Sequence, residues 1–404
     1  MPEVIKTPDP QSPVVKKVGV IGGGQLAWMM ADAAKKLGIE LVVQTPEPTD
    51  PAVAIAAHTV VAPIDDPVAT DYLAQQADVI TFENEFVNLE ALTPLAKQGV
   101  CFQPSLKTLE PLLDKYYQRC YLKELGLPTP QFIALDHPSQ LAQLGFPVVL
   151  KVRRHGYDGQ GTFILKSQAE LEATWQRLGH TPVLLEEFVP FDRELAVIAA
   201  RSITGEVVVY PVTETQQEDQ VCRRVLAPAA LDSRVVTEVG AIAHTLLNGL
   251  NAVGVFGIEL FLTLEGKILV NEISPRTHNS GHFTLDACET SQFEQQLRAV
   301  CHIPLGSTAL KTIPGVGQCY GAVMINLLGY EDSASNYAAK RQQLAQIPQA
   351  HLYWYGKTRS RPGRKLGHVT VLLVDQDARS QTLTPANYER MQHLIETVES
   401  IWYE

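Results

Sequence analysis

Cysteine is sparse and follows no metal or disulfide pattern. The six cysteines, Cys101, Cys120, Cys222, Cys288, Cys301 and Cys319, include no C-x-x-C pair. That scatter excludes a disulfide framework and a zinc site, and fits reduced thiols in a cytoplasmic protein. Positive charge is also short: 33 Lys and Arg stand against 44 Asp and Glu, for a net charge of −11. An acidic surface repels nucleic acid and anionic membrane, so neither is expected as a partner; a local basic site for a small anion is still allowed. No apolar run of about 18 residues occurs, which argues against a membrane span. The opening MPEVIKTPDPQSPVV carries four prolines and no apolar signal-peptide core, so residues 1–16 read as a flexible leader. Internal repeats are missing too. What is present is ordinary for a globular protein, 45% hydrophobic and 19% charged, and 404 residues exceed one core, so two or three domains are expected.

Apolar β-branched runs alternate with helical patterns at the start. KVGVIGGG leads into QLAWMMADAAKKLG, then IELVVQT, ADVITFE and LEALTPLAKQG. Strand–helix alternation means an α/β domain with a parallel, Rossmann-like sheet, placed over 17–112. A smaller domain follows over 113–200: the helix LDKYYQRCYLKELG, a hairpin FPVVLKVRR/TFILKS, the helix QAELEATWQRLG and the strand PVLLEEFV. Longer β-rich runs, with helices at 233–251 and 286–300, make an α+β domain over 201–404.

Several stretches carry chemistry. Gly22-Gly23-Gly24-Gln25-Leu26-Ala27 fits G-x-G-x-x-A between a strand and a helix. A dinucleotide site would want an acid near Gln44, which is not there; tight packing or another phosphate are the other readings. His155 to Gly161 has three glycines in seven residues at a hairpin tip, which suits a loop closing over phosphates or a plain mobile turn. Lys151, inside an apolar strand just before it, calls for an anionic partner. A two-residue turn at Glu265-Gly266 pairs Leu264 with Lys267 and, counting outward, Glu259 with Glu272. Like charges directly opposite need a cation between them, so this pair is a candidate Mg²⁺ site. Arg276, His278, Asn279, Ser280 and His282 crowd the loop after Glu272. Lys357 to Lys365 puts five basic residues in nine, either a solvated loop or an anion site in which guanidinium grips phosphate.

The order of these pieces resembles the ATP-grasp superfamily, in the branch that acts in purine biosynthesis. The specific parts are GYDGQG, PRTHNSGH and RPGRKLGH, and the likeness runs from about residue 17 to the end. It implies an ATP-grasp fold of three domains with ATP between the second and third. The implied enzyme is an ATP-dependent carbon–nitrogen ligase. It would use bicarbonate, through carboxyphosphate, to carboxylate 5-aminoimidazole ribonucleotide. The resemblance implies ATP contacts from Lys115, Lys151, the loop Gly156, Tyr157, Asp158, Gly159, Gln160, Gly161 and Thr162, the strand Glu186, Glu187, Phe188 and Val189, then Glu194, Gln217, Asn271 and Glu272. Glu259 and Glu272 would hold Mg²⁺. Ribonucleotide contacts would come from Gln25, Leu26, Glu83, Tyr157, Asp158, Arg276, His278, Asn279, Ser280, Lys357, Arg364 and Lys365. Asp158, Lys151 and Arg276 are the implied catalytic residues, with Asp158 facing the substrate amine. The family also implies a homodimer and a separate mutase chain that uses the product. Gln160, Phe283 and Gln217 stand where relatives commonly differ. A formate-dependent glycinamide ribonucleotide transformylase is the nearest alternative, and HNSGH favours the carboxylase.

Overall fold

The computed structural model describes residues 15–136, 144–154, 161–375 and 385–404. Most of the leader and the loop tip bearing Gly156, Tyr157, Asp158, Gly159 and Gln160 lie outside the described residues.

Four short strands, β1 (Lys17–Ile21), β2 (Glu40–Thr45), β3 (His58–Val61) and β4 (Val79–Phe82), form a parallel sheet in the order β3-β2-β1-β4. The apolar runs of β1, β2 and β4 follow from burial on both faces, whereas β3 at the edge is half-exposed. One face packs through Met30, Ala33 and Ala34 onto Phe293, Leu297 and Val300 of the helix Gln292–Val300, which ties this sheet to the rest of the molecule.

The second sheet is antiparallel. Strands β5 (Phe132–Leu135), β6 (Val148–Val152), β7 (Thr162–Leu165) and β8 (Val183–Glu187) run in the order β5-β8-β6-β7. The expected hairpin is present, with Lys151 opposite Thr162 at its mouth.

The third sheet has ten strands: β9 (Phe191–Arg201), β10 (Val207–Val209), β11 (Thr213–Glu218), β12 (Val221–Ala227), β13 (Gly254–Thr263), β14 (Ile268–Ser274), β15 (Thr312–Ile313), β16 (Gly317–Leu328), β17 (Ala350–Trp354) and β18 (Lys365–Asp375). Its path is β14-β13-β9-β11-β12-β16-β18-β17, so β14 lies at an edge. Strand β9 belongs here, so the two antiparallel sheets part between Glu187 and Phe191, ahead of the expected boundary at 200. The helix expected over 286–300 is two helices, Thr284–Ala287 and Gln292–Val300. Ser291 interrupts it, because its side chain accepts from the Glu294 N–H and starts a new helix. Among the described residues no helix is long and apolar enough to cross a membrane.

Candidate active site

The acidic pair is where the strand register puts it, but not by the expected route. Glu259 pairs with Glu272 on β13 and β14. The turn between these strands, however, is three residues long. Thr263 accepts from the Gly266 N–H and its own N–H bonds the Lys267 carbonyl. Gly266 takes the left-handed conformation, φ 78°, that ends such a loop. The ladder therefore runs one residue off the expected register through Leu262–Ile268, Phe261–Leu269 and Leu260–Val270. A β-bulge between Glu259 and Leu260 then admits Asn271 as an extra residue and brings Glu259 back opposite Glu272. The core shows the consequence. Ile268, Val270 and Ile273 all enter one apolar cluster, so the inward spacing lengthens from two to three at the bulge. Asn271 and Glu272 are both left on the other face.

Opposite that face lies the helix Lys115–Glu124, capped by Asp114, whose side chain accepts from the Tyr116 and Tyr117 N–H groups. Lys115 Nζ lies 2.5 Å from Glu272 Oε2. Arg119, one turn on, pairs with Glu186. The same carboxylate takes Lys151 Nζ at 2.7 Å, and Lys151 also donates to Asn271 Oδ1 at 3.0 Å. Burial alone would raise the Glu186 pKa, but Arg119 and Lys151 bring it down to about 2. Burial lowers that of Lys151, against the pull of Glu186. Glu259 behaves oppositely: burial, then the Glu272 charge, push it up to about 7. Burial would raise Glu272, but Lys115, with Lys151 and Arg119, holds it below the usual carboxylate range. Glu194 is raised by burial and accepts from Gln217, with the Lys151 charge bearing on it. Lys115, Lys151, Glu186, Glu194, Gln217, Glu259, Asn271 and Glu272 thus share one cleft. Glu186 is an ion-pair hub between Arg119 and Lys151, and Glu187 accepts from the Gln131 N–H at 2.8 Å. Phe188 leaves its ring 36% exposed at the end of β8, beside buried Val189. Gly161 and Thr162 stand at the base of the glycine loop, where Val152 N–H bonds the Gly161 carbonyl.

The loop after β14 divides its side chains. His278 turns Nε2 toward Glu259 Oε1 at 3.3 Å. His282 is buried, neutral well below the usual histidine range through burial, and held at 3.2 Å by Gln292. Asn279 exchanges two hydrogen bonds with the Asn326 amide, at 3.0 and 2.8 Å, and Ser280 is buried with its hydroxyl 2.9 Å from His278 Nδ1. Both were expected to touch the ribonucleotide; in this arrangement they brace the loop. Arg276 is likewise engaged, in a two-pronged pair with Glu85 at 2.5 and 3.1 Å. It is a strut to the N-terminal sheet, not an open phosphate clamp.

The first glycine turn also departs from expectation. Gln25 opens a helix of only four residues. The Leu26 N–H donates to Glu83 Oε1 at 3.3 Å, and the Leu26 side chain is buried. A Cβ on Gly24 would strike that carboxylate. The chain's own Glu83, raised by burial, thus occupies the place where a phosphate was one of the readings. Gln44 is fully buried and bonded to Pro63 and Thr70, so it offers nothing to a dinucleotide ribose. In the basic stretch, Lys357 lies over the Tyr355 ring at 5.7 Å and Arg364 donates to the Arg359 carbonyl at 2.6 Å. The Lys365 charge bears on both Glu259 and His282, which brings this turn to the cleft.

Gln118, Arg119 and Glu85 escaped the sequence reading. For two of them a signal existed. Lys115, Gln118, Arg119 and Leu122 follow helical i, i+3, i+4, i+7 spacing, so three polar residues share the stripe of a fully buried leucine. Polar residues on a core stripe ask for buried partners. Glu85 carries no such mark.

Comparison with known proteins comes in three parts. Residues 15–111 match the ribonucleotide synthetase preATP-grasp domain, 120–293 the ATP-grasp domain and 322–382 the phosphoribosylaminoimidazole carboxylase C-terminal domain. The chain is 56% identical to the N5-carboxyaminoimidazole ribonucleotide synthase of Synechococcus elongatus, across 96% of each. It is 38% identical to the phosphoribosylaminoimidazole carboxylase of Schizosaccharomyces pombe, covering 88% of this chain and 64% of that one. Its fold matches a crystal structure of N5-carboxyaminoimidazole synthase from Aspergillus clavatus in complex with ADP and 5-aminoimidazole ribonucleotide. The TM-score is 0.84 at 31% identity, over 96% of this chain and 99% of that one.

Proposed function

The chain belongs to the N5-carboxyaminoimidazole ribonucleotide synthase family of ATP-grasp ligases, and from that premise we propose how its residues divide the work. The enzyme carboxylates the amine of 5-aminoimidazole ribonucleotide in purine biosynthesis, with cleavage of ATP. The observation that carries the assignment of its site is the Glu259–Glu272 pair, bracketed by Lys115 and Lys151 and joined by His278. Bicarbonate is a poor electrophile, and transfer of the γ-phosphoryl group would make it carboxyphosphate. That step needs positioning and neutralised charge more than covalent help. Lys115 and Lys151 bind phosphate oxygens, and Glu194 with Gln217 faces the ribose. The substrate amine then displaces phosphate from the activated carboxyl group, and Asp158 of the glycine loop receives the amine proton.

The donor set fits a magnesium ion. Two carboxylates face each other, and burial together with the charge of Glu272 pushes the Glu259 pKa up to about 7. Among the described residues no group of three or more His, Cys, Asp or Glu is placed to hold a metal ion, so phosphate oxygens and water would complete the set around the two carboxylates. Glu259 and Glu272 would hold the ion, which when bound neutralises phosphate charge. The product passes to a separate mutase chain, the enzyme is a homodimer and it works in the cytoplasm. The test is ATP hydrolysis with bicarbonate plus 5-aminoimidazole ribonucleotide, set against formate plus glycinamide ribonucleotide. Turnover in the first mixture alone is expected; turnover only in the second would assign the formate-dependent reaction.

A further inference from the structure

The three polar residues on the buried stripe of helix Lys115–Glu124 do different jobs. Lys115 and Arg119 meet carboxylates. Gln118, between them and 3% exposed, meets backbone. Its Nε2 donates to the Ile273 carbonyl at 3.0 Å and to the Leu112 carbonyl at 3.2 Å, and its Oε1 accepts from the Ile273 N–H at 2.9 Å. Ile273 is the residue after Glu272, on the edge strand of the large sheet. An edge strand presents unpaired N–H and C=O groups on its outer side. One glutamine amide serves both groups of one residue, as a neighbouring strand would. The loop beyond repeats the device: Gln292 accepts from the His278 N–H at 2.9 Å and donates to the His278 carbonyl at 2.8 Å.

We infer that Gln118 is a positioning residue for the nucleotide site, acting through Lys115. Lysine is a point charge on a flexible stem, so its own side chain does not fix where it acts. The position must come from the backbone at either end of the Lys115–Glu272 pair. Asp114 and the Arg153 carbonyl fix the helix start, the latter through the Lys115 N–H at 2.9 Å. Gln118 fixes the helix to the strand, one turn from Lys115 and one residue from Glu272. Its loss lets helix and strand shift against each other, and small displacements of charged groups cost heavily in phosphoryl transfer. This inference rests on the function proposed above.

The test is a double-mutant cycle on the full chain, measured well below the melting temperature. Gln118→Leu removes all three hydrogen bonds. Gln118→Glu keeps the acceptor for Ile273 N–H and puts a carboxylate against two carbonyls, and it replaces the leucine variant if that one does not fold. Either should raise the KM for ATP about tenfold and leave the KM for 5-aminoimidazole ribonucleotide within about twofold. Combined with Lys115→Ala, the second substitution should add little, because both act on one contact. Additive losses, or a variant with lowered Tm but unchanged KM for ATP, would overturn the inference. A wild-type chain without aminoimidazole-dependent turnover counts against the assigned reaction only, and the same cycle is then read on ADP affinity by calorimetry.

Discussion

Deleting Asn271 and deleting its neighbour Val270 should have very different costs. Both deletions remove the bulge, and both leave Glu272 opposite Glu259. They differ in what then faces the core. Without Asn271 the alternation becomes regular: Ile268, Val270 and Ile273 still point inward, and Glu272 still points out. The loss is a hydrogen bond from Lys151, which keeps its pair with Glu186, and a long one to Glu259 at 3.5 Å. A bond to a charged group is worth about 1.5–3 kcal/mol, and the retained pair favours the low end. Without Val270, Asn271 moves opposite Leu260 and takes the place of a fully buried valine. That removes about 1.5–3 kcal/mol of apolar burial and adds about 1–3 kcal/mol for an unpaired amide, roughly 3–6 kcal/mol together. Against a total stability of about 5–15 kcal/mol, the second deletion threatens the fold and the first does not. Urea unfolding followed by circular dichroism measures both. Equal midpoints, or a lower midpoint for the Asn271 deletion, would refute the claim that the bulge keeps the core in phase.

Three further outcomes are expected. Glu272→Ala should abolish aminoimidazole-dependent ATP hydrolysis with an unchanged circular dichroism spectrum; near-wild-type turnover would remove it from the metal site. Lys357→Ala and Arg364→Ala should raise the KM for the ribonucleotide and leave that for ATP, since their turn reaches the Glu259 side of the cleft; an effect confined to ATP would reassign the turn. Burial pushes the His368 pKa down to about 3, so below the ordinary histidine range near 6.5 the unfolded chain takes up a proton that the folded chain refuses. Its share of stability is therefore complete above about pH 6.5 and falls away toward pH 3, by about 2 kcal/mol between pH 7 and pH 5. Urea midpoints of His368→Gln should lose that part of the slope, and an unchanged slope would place the acid sensitivity elsewhere.

How far the sequence could be read depended on which interactions are local. Three of the four strands of the N-terminal sheet followed from apolar periodicity and glycine stops such as Gly38, whose φ is 68°, whereas the short, half-exposed β3 and the helix Pro67–Ala74 did not. The facing glutamates were found, but through two errors that cancel. Glu265-Gly266 was taken as the whole turn, whereas Leu264 belongs to it as well. The bulge at Asn271 restored the residue that this lost. A bulge has no signature of its own, because it answers to the core and to the partners of Asn271. Glu83 over the glycine turn and Glu85 on Arg276 were equally hidden, since both join residues far apart in sequence. The structure brings Lys115, Lys151 and Glu259 together, and it engages Asn279, Ser280 and Arg276 with other residues of the chain.

Four cations of the cleft are already engaged with carboxylates. Lys115 meets Glu272, Arg119 and Lys151 meet Glu186, and Arg276 meets Glu85. For these four, contact with an anionic nucleotide requires exchange of partners. Exchange is uneven across these pairs. Glu186 has two cations, so Lys151 can turn to a phosphate while Arg119 still holds the carboxylate. Glu272 depends on Lys115 and stands opposite Glu259, so moving Lys115 alone would leave two like charges face to face in a buried strand pair, which is destabilising. Lys115 can serve a phosphate only when something else meets that pair. This couples the carboxylates to the lysine, and it gives a physical reason for placing them on one helix–strand unit pinned by Gln118.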